Sequence, residues 1–236
     1  MDQARPGVPA QLPLGIRWND AASFESFHPA GNGQALAAVE RLVHGDEQCV
    51  YLHGAPATGK SHLLQAASRA VGESGAPVAY LPLAQELDLT PDVLDGLENL
   101  SLVALDDVSV LAGAPAWEEA LFHAFNRIRD HGARLLISGH DRPDAMGFLL
   151  PDLVSRLQWG LLERLHTMAD EDKIGALRHR ARLRGLDLPA EAGRYMLRRQ
   201  PRDVHSLFQL LETLDRAALA EQRRLTVPFL RRWLGD

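Results

Sequence analysis

The chain has 236 residues, of which 46% are hydrophobic and 24% are charged, and its formal net charge is −6. This composition is ordinary for a globular protein with one large domain, or one domain and a smaller attachment. The acidic balance argues against an autonomous DNA-binding protein, and no apolar run approaches the ~18 residues that a membrane helix needs. The N-terminus has no signal-peptide core, and the single cysteine, Cys49, excludes an internal disulfide, so we expect a cytoplasmic protein without a membrane partner.

Charge is unevenly distributed along the chain. Residues 1–168 hold 11 Lys and Arg against 21 Asp and Glu, a net charge of −10, whereas residues 169–236 hold 14 against 10, a net charge of +4. This shift in composition predicts a domain boundary near residue 168. We therefore expect an extended tail over residues 1–22, an α/β domain over residues 23–168 and a helical domain over residues 169–236.

The first 18 residues contain three prolines, which exclude a stable helix. In an extended chain the aliphatic residues at positions 12, 14 and 16 project to one side. Such a segment could dock in a groove on a partner protein, remain disordered or fold back on its own domain, and these residues alone leave the three interpretations open. The candidate contact residues are Gln11, Leu12, Pro13, Leu14 and Ile16.

The middle of the chain alternates between strand and helix patterns. We expect strands over residues 49–52, 78–81, 102–105, 134–138 and 161–165, and helices over 34–43, from Lys60 onward and over 117–131, with 84–97 helical in part. The strands are mostly continuous apolar runs, which is typical of strands covered on both faces. This alternation predicts a parallel α/β sheet flanked by helices. Beyond residue 168 every pattern is helical, with acidic residues at the start of the first helix and prolines separating three more.

A glycine-rich loop lies between the strand predicted at 49–52 and the helix predicted from Lys60, and it matches the pattern G-x-x-x-x-G-K-S/T. Glycines allow the backbone to wrap round phosphates with its N–H groups pointing inward, and the following helix adds the positive end of its dipole. Lys60 would pair with the β- and γ-phosphates, and the Ser61 hydroxyl would coordinate Mg²⁺. The sequence thus predicts a nucleotide-binding loop made of Gly54, Ala55, Pro56, Ala57, Thr58, Gly59, Lys60 and Ser61.

Two aspartates end the strand at 102–105, which we expect to lie beside the strand that precedes this loop. Asp106 would hold Mg²⁺, directly or through water, and Asp107 would orient the water that attacks the γ-phosphate. The alternative is that both aspartates cap a strand before a turn. Ser138, at the end of the strand predicted at 134–138, would face the γ-phosphate.

Two groups of arginines are candidates for anion contacts. Arg156 lies just before the last predicted strand, and its planar fork matches phosphate oxygens, although a surface salt bridge is the commonest role of a single arginine. Four more arginines, at positions 178, 180, 182 and 184, alternate along a predicted helix. Alternate residues fan round a helix, so we expect these four to form a solvated surface rather than a nucleic-acid-binding face.

Together these motifs resemble the AAA+ ATPases, and more closely the DnaA/Hda family. The closer similarity lies in Phe24–Phe27 followed by Asn32, in residues 59–63 and in residues 155–160. In the helical domain, residues 170–173, 180–185, 214–217 and 223–229 are similar to Hda-type members. The resemblance covers nearly the whole chain. It implies an α/β fold with an AAA+ P-loop parallel sheet flanked by helices, followed by a small all-helical lid domain.

The resemblance also implies a function. Hda-type proteins act with the DNA-loaded sliding clamp of the replicative polymerase, and they stimulate hydrolysis of the ATP bound to DnaA, which blocks re-initiation of replication. Arg156 would be an arginine finger supplied in trans, and residues 11–16 resemble the clamp-binding peptide of Hda-type members. Asn32 and His62 would join the P-loop in binding ADP or ATP with Mg²⁺. DnaA's DNA-binding helix-turn-helix lacks a counterpart, so we expect contact with DNA only through the clamp, and a homo-oligomer is a further expectation.

The lid departs from the family pattern at one position. DnaA has a lid arginine that reaches the nucleotide, and the corresponding residue here is His205, with Arg202 one helical turn earlier. A histidine is shorter and mostly neutral at pH 7, so either Arg202 takes over the contact or the lid senses phosphate poorly. We therefore expect weak or no ATPase activity from the chain itself. An AAA+ helicase loader that acts on the replicative helicase is the alternative function, followed by a structural adaptor, while a stand-alone metabolic NTPase or kinase is disfavoured.

Overall fold

The computed structural model describes residues 22–85, 89–199, 204–221 and 225–235. In these residues a parallel sheet flanked by helices is followed by a small helical domain, which confirms the predicted fold class. None of the described helices is long and apolar enough to span a membrane. The candidate contact residues at positions 11–16 lie outside the described residues.

Five strands form one sheet in which every hydrogen-bonded pair is parallel. They are β1 (Cys49–His53), β2 (Val78–Pro82), β3 (Leu102–Asp106), β4 (Arg134–Gly139) and β5 (Leu161–Arg164), arranged in the order β2-β3-β4-β1-β5. The predicted position of the Asp106 strand beside the P-loop strand was wrong, because β4 lies between β3 and β1 and pairs with both. Strands of a parallel sheet are joined by crossovers, so neighbours in sequence need not be neighbours in the sheet.

Four helices belong to the α/β domain: α1 (Gly33–His44), α2 (Lys60–Glu73), α3 (Pro115–Asp130) and α4 (Pro151–Leu157). Short 3₁₀ turns at residues 91–94 and 97–99 supply the helical part of the described portion of the segment expected to be partly helical at 84–97. The helix α4 was not foreseen, although Pro151 at its first position is a residue type favoured there.

The sheet separates two apolar layers, as the alternation of side chains along a strand requires. Leu52, Ala104 and Leu136 face one way and pack with buried residues of α1 and α2. Tyr51 and Ile137 face the other way and pack with α3 and α4. Because both faces are covered, all five residues of β1 and of β3 are buried, and their continuous apolar sequences follow from that burial.

The helical domain is formed by α5 (Asp170–Leu183), α6 (Ala190–Arg199), α7 (Val204–Glu221) and α8 (Val227–Leu234). It has its own apolar core, which includes Leu177, Met196, Leu211 and Leu230. We call this domain the lid. The segment between β5 and α5, residues 165–169, joins it to the α/β domain.

Candidate nucleotide-binding site

A cavity of about 690 Å³ lies between the carboxyl edge of the sheet and the lid. Residues 56–62, from the P-loop and the start of α2, form one wall, and Asp106, Asp107 and His140 lie at the ends of β3 and β4. The lid side includes Arg180, Phe208 and Glu212. Ligands of open parallel sheets bind at this edge, beyond the carboxyl ends of the strands. The fold therefore brings the predicted phosphate-binding loop and the predicted carboxylates into one cavity.

The P-loop backbone adopts conformations that favour residues with small side chains or none. Three of its residues have positive φ: Gly54 at 146°, Ala57 at 61° and Gly59 at 103°. Thr58 closes the loop by donating its hydroxyl proton to the Ala55 carbonyl at 2.9 Å. A Cβ at residue 59 would lie 2.9 Å from the Phe27 ring, so glycine there admits the close approach of the preceding segment. The loop is thus curved, and the Phe27 ring packs directly against it.

Lys60, the first residue of α2, lies inside the curve of this loop. Its Nζ donates to the carbonyls of Gly54 at 2.6 Å and Ala55 at 3.0 Å. Burial lowers the pKa of Lys60, while Asp107 and Asp106 act in the opposite direction by favouring the charged form. The backbone N–H groups of the first turn of α2 have no side-chain cap. These donors and the ammonium group suit a phosphate.

Asp106 is the centre of a buried hydrogen-bond network. Its Oδ2 accepts from the Tyr80 hydroxyl at 2.7 Å, and its Oδ1 accepts from the Ser138 hydroxyl at 2.6 Å. Gln65 donates to the Tyr80 oxygen at 3.0 Å, and Ser138 accepts the Asp107 N–H at 2.9 Å. Burial, with the nearby Asp106 charge, raises the pKa of Tyr80. Each carboxylate oxygen has a second lone pair, so the network fixes Asp106 without preventing contact with Mg²⁺ or its water.

Asp107 and His140 form a pair at the mouth of the cavity. Asp107 has φ 63°, an uncommon conformation for a residue with a side chain. Its Oδ2 lies 3.0 Å from His140 Nε2, whereas its Oδ1 is buried and lacks a hydrogen-bond partner in the described part of the chain. His140 rather than Ser138 lines the cavity; the Ser138 side chain is fully buried behind it. In the sequence His140 lies just beyond Ser138, but the contact with the γ-phosphate was predicted for Ser138 rather than for His140.

His62 and Asn32 hold structural segments around the site. His62 lines the cavity, and its Nε2 donates to the Ser23 carbonyl at 2.9 Å, since a carbonyl oxygen only accepts. Burial lowers the pKa of His62. Asn32 is buried and bonds the backbone of His166 twice, from Nδ2 to the carbonyl at 3.1 Å and to Oδ1 from the N–H at 2.7 Å. Asn32 does not line the cavity, so its predicted nucleotide contact stays a prediction.

Arg180 is the lid residue that the sequence placed incorrectly. It is 5% exposed rather than solvated, and its guanidinium lies 4.6 Å from the Phe208 ring centroid. Its Nη2 bonds Glu212 at 3.0 Å, and Arg184 bonds the same carboxylate at 2.9 Å. Burial lowers the pKa of Arg180, although the pairing with Glu212 opposes this. Alternation along α5 gave no signal of the burial, because the partners lie on α7.

Arg156 lies in the last turn of α4, and in the described structure it is not among the residues that line the cavity. Its guanidinium lies 6.0 Å from the Phe122 ring centroid, and its Nε is buried without a hydrogen-bond partner among the described residues. The other two predicted lid contacts, Arg202 and the His205 side chain, are outside what the structure describes. They stay predictions.

The chemistry of this donor set suits a nucleoside triphosphate or diphosphate with Mg²⁺. A bound nucleotide would supply phosphate oxygens to the P-loop N–H groups and to Lys60, and Ser61 and Asp106 would hold the metal ion. Close backbone approach at Gly54 and Gly59 leaves the concave side of the loop for the phosphates. The fold and the site define a P-loop nucleotide-binding protein with a helical lid.

Comparisons with protein families agree with this class. The model of the bacterial DnaA ATPase domain matches residues 18–164, and the model of the Hda lid domain matches residues 170–234. The chain belongs to the Hda/DnaA family of AAA+ proteins. This family is related to the initiation of replication.

Solved structures show the same fold. Domain III of the Thermotoga maritima replication initiation protein DnaA has a TM-score of 0.75 and 22% identity, covering 94% of this chain and 98% of that one. AMPPCP-bound DnaA from Aquifex aeolicus has a TM-score of 0.67 and 22% identity, covering 88% and 71%. The Thermotoga maritima RuvB branch migration motor has a TM-score of 0.62 and 16% identity, covering 89% and 72%. At these identities the similarity establishes the fold.

Proposed function

We propose that this protein is a negative regulator of replication initiation which, together with the DNA-loaded sliding clamp, stimulates hydrolysis of the ATP bound to DnaA. The match of its lid to the Hda lid domain supports the regulatory branch of the family. The position of Arg156 carries the mechanism, because this guanidinium lies on α4, apart from the cavity of its own chain. An arginine in that position is suited to a nucleotide held by another molecule.

Arg156 would act as an arginine finger on the ATP of DnaA. Such a group stabilises the charge that develops on the transferred phosphoryl group, and in GTPases it contributes ~10³–10⁵ in rate, or roughly 4–7 kcal/mol. Its planar fork matches phosphate oxygens. The Phe122 ring beneath the guanidinium restricts its orientation at the surface.

The chain's own nucleotide would have a structural or regulatory role. We expect ADP or ATP with Mg²⁺ on the P-loop, Lys60, Ser61 and Asp106, by analogy with the AMPPCP-bound DnaA structures. Asp107 would be the general base, but its Oδ2 is engaged by His140. Together with a histidine in place of the lid arginine at position 205, this supports weak or no hydrolysis by the chain alone.

The tail would supply the contact with the clamp. Burying three aliphatic side chains contributes about 1.5–3 kcal/mol each, from which the ordering of the segment must be subtracted. Only a few kcal/mol remain, so a single peptide would bind weakly, and the repeated sites of a ring-shaped clamp would reinforce it by avidity. A Gln11→Ala, Leu14→Ala variant should lose binding to immobilised clamp while keeping its thermal stability. Normal clamp binding by that variant would remove this part of the proposal.

The central experiment measures hydrolysis of ATP pre-bound to DnaA in the presence of clamp-loaded DNA. The natural protein should accelerate hydrolysis, and Arg156→Ala should reduce the maximal stimulated rate by about 10³-fold or more. Arg142→Ala is the matched control, because Arg142 is an exposed arginine on the same domain whose side chain pairs only with Asp144 among the described residues. Full stimulation by Arg156→Ala would refute the finger. Absence of stimulation by the natural protein would refute the function.

A further inference from the structure

Glu118, in the first turn of α3, is a buried carboxylate with an unusual set of partners. It is 1% exposed and accepts three backbone N–H groups. Its Oε1 accepts from Gly113 at 2.8 Å, and its Oε2 accepts from Leu149 at 2.7 Å and Leu150 at 2.8 Å. In the described structure Glu118 forms no ion pair, so backbone donors alone compensate its buried charge. Such charge-assisted hydrogen bonds are short and strong, and burial without them is costly.

These bonds fix the place where α4 begins. Leu150 is the residue immediately before α4, and Pro151, at the first helical position, has no N–H of its own. The helix is seven residues long, and its buried residues Leu153 and Leu157 pack in the same core as α3. Because the two anchored residues directly precede so short a helix, the contact at Leu149 and Leu150 sets the direction in which α4 points.

The same face of α3 also contacts the other end of α4. Phe122 lies one helical turn after Glu118, and the Arg156 guanidinium lies over its ring, 6.0 Å from the centroid. Phe125 lies one turn further and meets Trp159 edge-on, with ring centroids 6.4 Å apart at 88°. Positions 118, 122 and 125 follow the i, i+4, i+7 spacing of one helix face. One face of α3 thus contacts the start of α4, the Arg156 guanidinium and Trp159, the second residue after α4.

We propose that Glu118 is a positioning residue for Arg156: its carboxylate orients α4 so that the guanidinium already has its working orientation before the protein binds DnaA. This inference rests on the proposed function of Arg156. A carboxylate is required because three N–H groups approach its two oxygens from two segments of the chain. Glutamine replaces one oxygen by an NH₂ group, which only donates and would face N–H groups on one side. The expected consequence is a displaced α4 in an otherwise folded domain.

The test compares Glu118→Gln with Glu119→Gln, a matched control in the next, exposed position of the same helix. Stimulated hydrolysis of DnaA-bound ATP is measured against protein concentration, on clamp-loaded DNA. Misplacement of a catalytic group by about 1 Å costs on the order of 10²-fold, so Glu118→Gln should lower the maximal rate by about 10- to 100-fold. The half-saturating concentration should change less than twofold. An unchanged maximal rate, or a loss confined to the half-saturating concentration, would overturn the proposal.

A second measurement separates positioning from general damage. In an Arg156→Lys background the flexible ammonium does not depend on the direction of a planar fork, so Glu118→Gln should lower the residual rate less than twofold. An equal fold-loss in both backgrounds would show that Glu118 acts independently of the guanidinium. Nucleotide binding to the P-loop is the check on folding. If Glu118→Gln fails it, Glu118→Asp takes its place under the same criteria, because its side chain is one methylene shorter and withdraws the carboxylate from the three N–H groups. Normal stimulation by Arg156→Ala would instead refute the finger role on which this proposal rests, and absence of stimulation by the natural protein would refute the proposed function itself.

Discussion

Substituting Gly54 by alanine should destabilise the protein strongly, although it adds one methyl group. Gly54 has φ 146°, which residues with a Cβ rarely adopt, and a Cβ there would overlap the Leu165 carbonyl oxygen, with the Leu165 carbonyl carbon at 3.3 Å. Leu165 cannot withdraw freely, because it is buried and its N–H donates to the His53 carbonyl at 2.7 Å. The substitution therefore forces the first residue of the P-loop away from the end of β5.

The magnitude follows from two contributions. Overpacking a close contact costs about 1–3 kcal/mol, and a backbone conformation reserved for glycine costs a further ~1–3 kcal/mol. We expect Gly54→Ala to lower the free energy of unfolding by about 2–6 kcal/mol. In a protein of this size each kcal/mol corresponds to ~2–4 °C, so the melting temperature should fall by on the order of 10 °C.

Gly72→Ala supplies the matched control in the next element. Gly72 lies in α2, has an ordinary φ, and a Cβ there meets nothing within 4 Å. Alanine in a helix is favoured over glycine by about 0.5–1 kcal/mol, so this variant should be slightly more stable than the natural protein. Urea and thermal unfolding in the absence of nucleotide measure the stability of both variants. Equal stability of the two variants, to within about 0.5 kcal/mol, would refute the reasoning.

Three further changes test the buried polar groups. Tyr80→Phe removes the donor to Asp106 Oδ2 and should cost about 1–3 kcal/mol in urea unfolding; an unchanged midpoint would show that the bond is replaced. The pKa of His62 is lowered in the folded protein, whereas in the unfolded chain it lies near the ordinary value of about 6.5, so the unfolded chain binds more protons as pH falls. The free energy of unfolding should therefore decrease from pH 7.5 to 5.5, by at most ~1.4 kcal/mol per pH unit for this group. His62→Gln should flatten this pH profile. Parallel profiles would contradict this. Arg180→Met should destabilise the lid, because it removes one of the two arginines that bond Glu212 and leaves that carboxylate paired with Arg184 alone. Equal or higher stability of the variant would show that Arg180 has no net stabilising role.

Local signals carried most of the sequence prediction. The strand before the P-loop, the loop and α2 are contiguous, and a phosphate-binding loop needs no distant residue to be recognised. The predicted strand at 102–105 and the observed β3 differ only by the inclusion of Asp106. Strand order, in contrast, depends on packing between elements far apart in sequence, and the expected neighbour of β1 was therefore wrong.

The polar residues that the sequence misjudged all depend on distant partners. Arg180 is buried because Phe208 and Glu212 lie opposite it, about 30 positions later. Glu118 carries no motif at all; its acceptance of two N–H groups from residues 31 and 32 positions away appears only in the fold. Pairs separated in this way leave no periodicity in a single sequence, whereas Pro151 after Leu150 was a local helix-start signal that could have been used.

The hydrogen bonds of the segment at residues 23–25 have a mechanical consequence. The Ser23 carbonyl accepts from His62 on α2, and the Glu25 carbonyl accepts from His179 on α5 at 2.6 Å. A tension applied to the chain upstream of Ser23 would therefore be shared between the helix that follows the P-loop and the first helix of the lid. If the tail tethers the molecule to a ring on DNA, every pull on that tether reaches both walls of the nucleotide cavity.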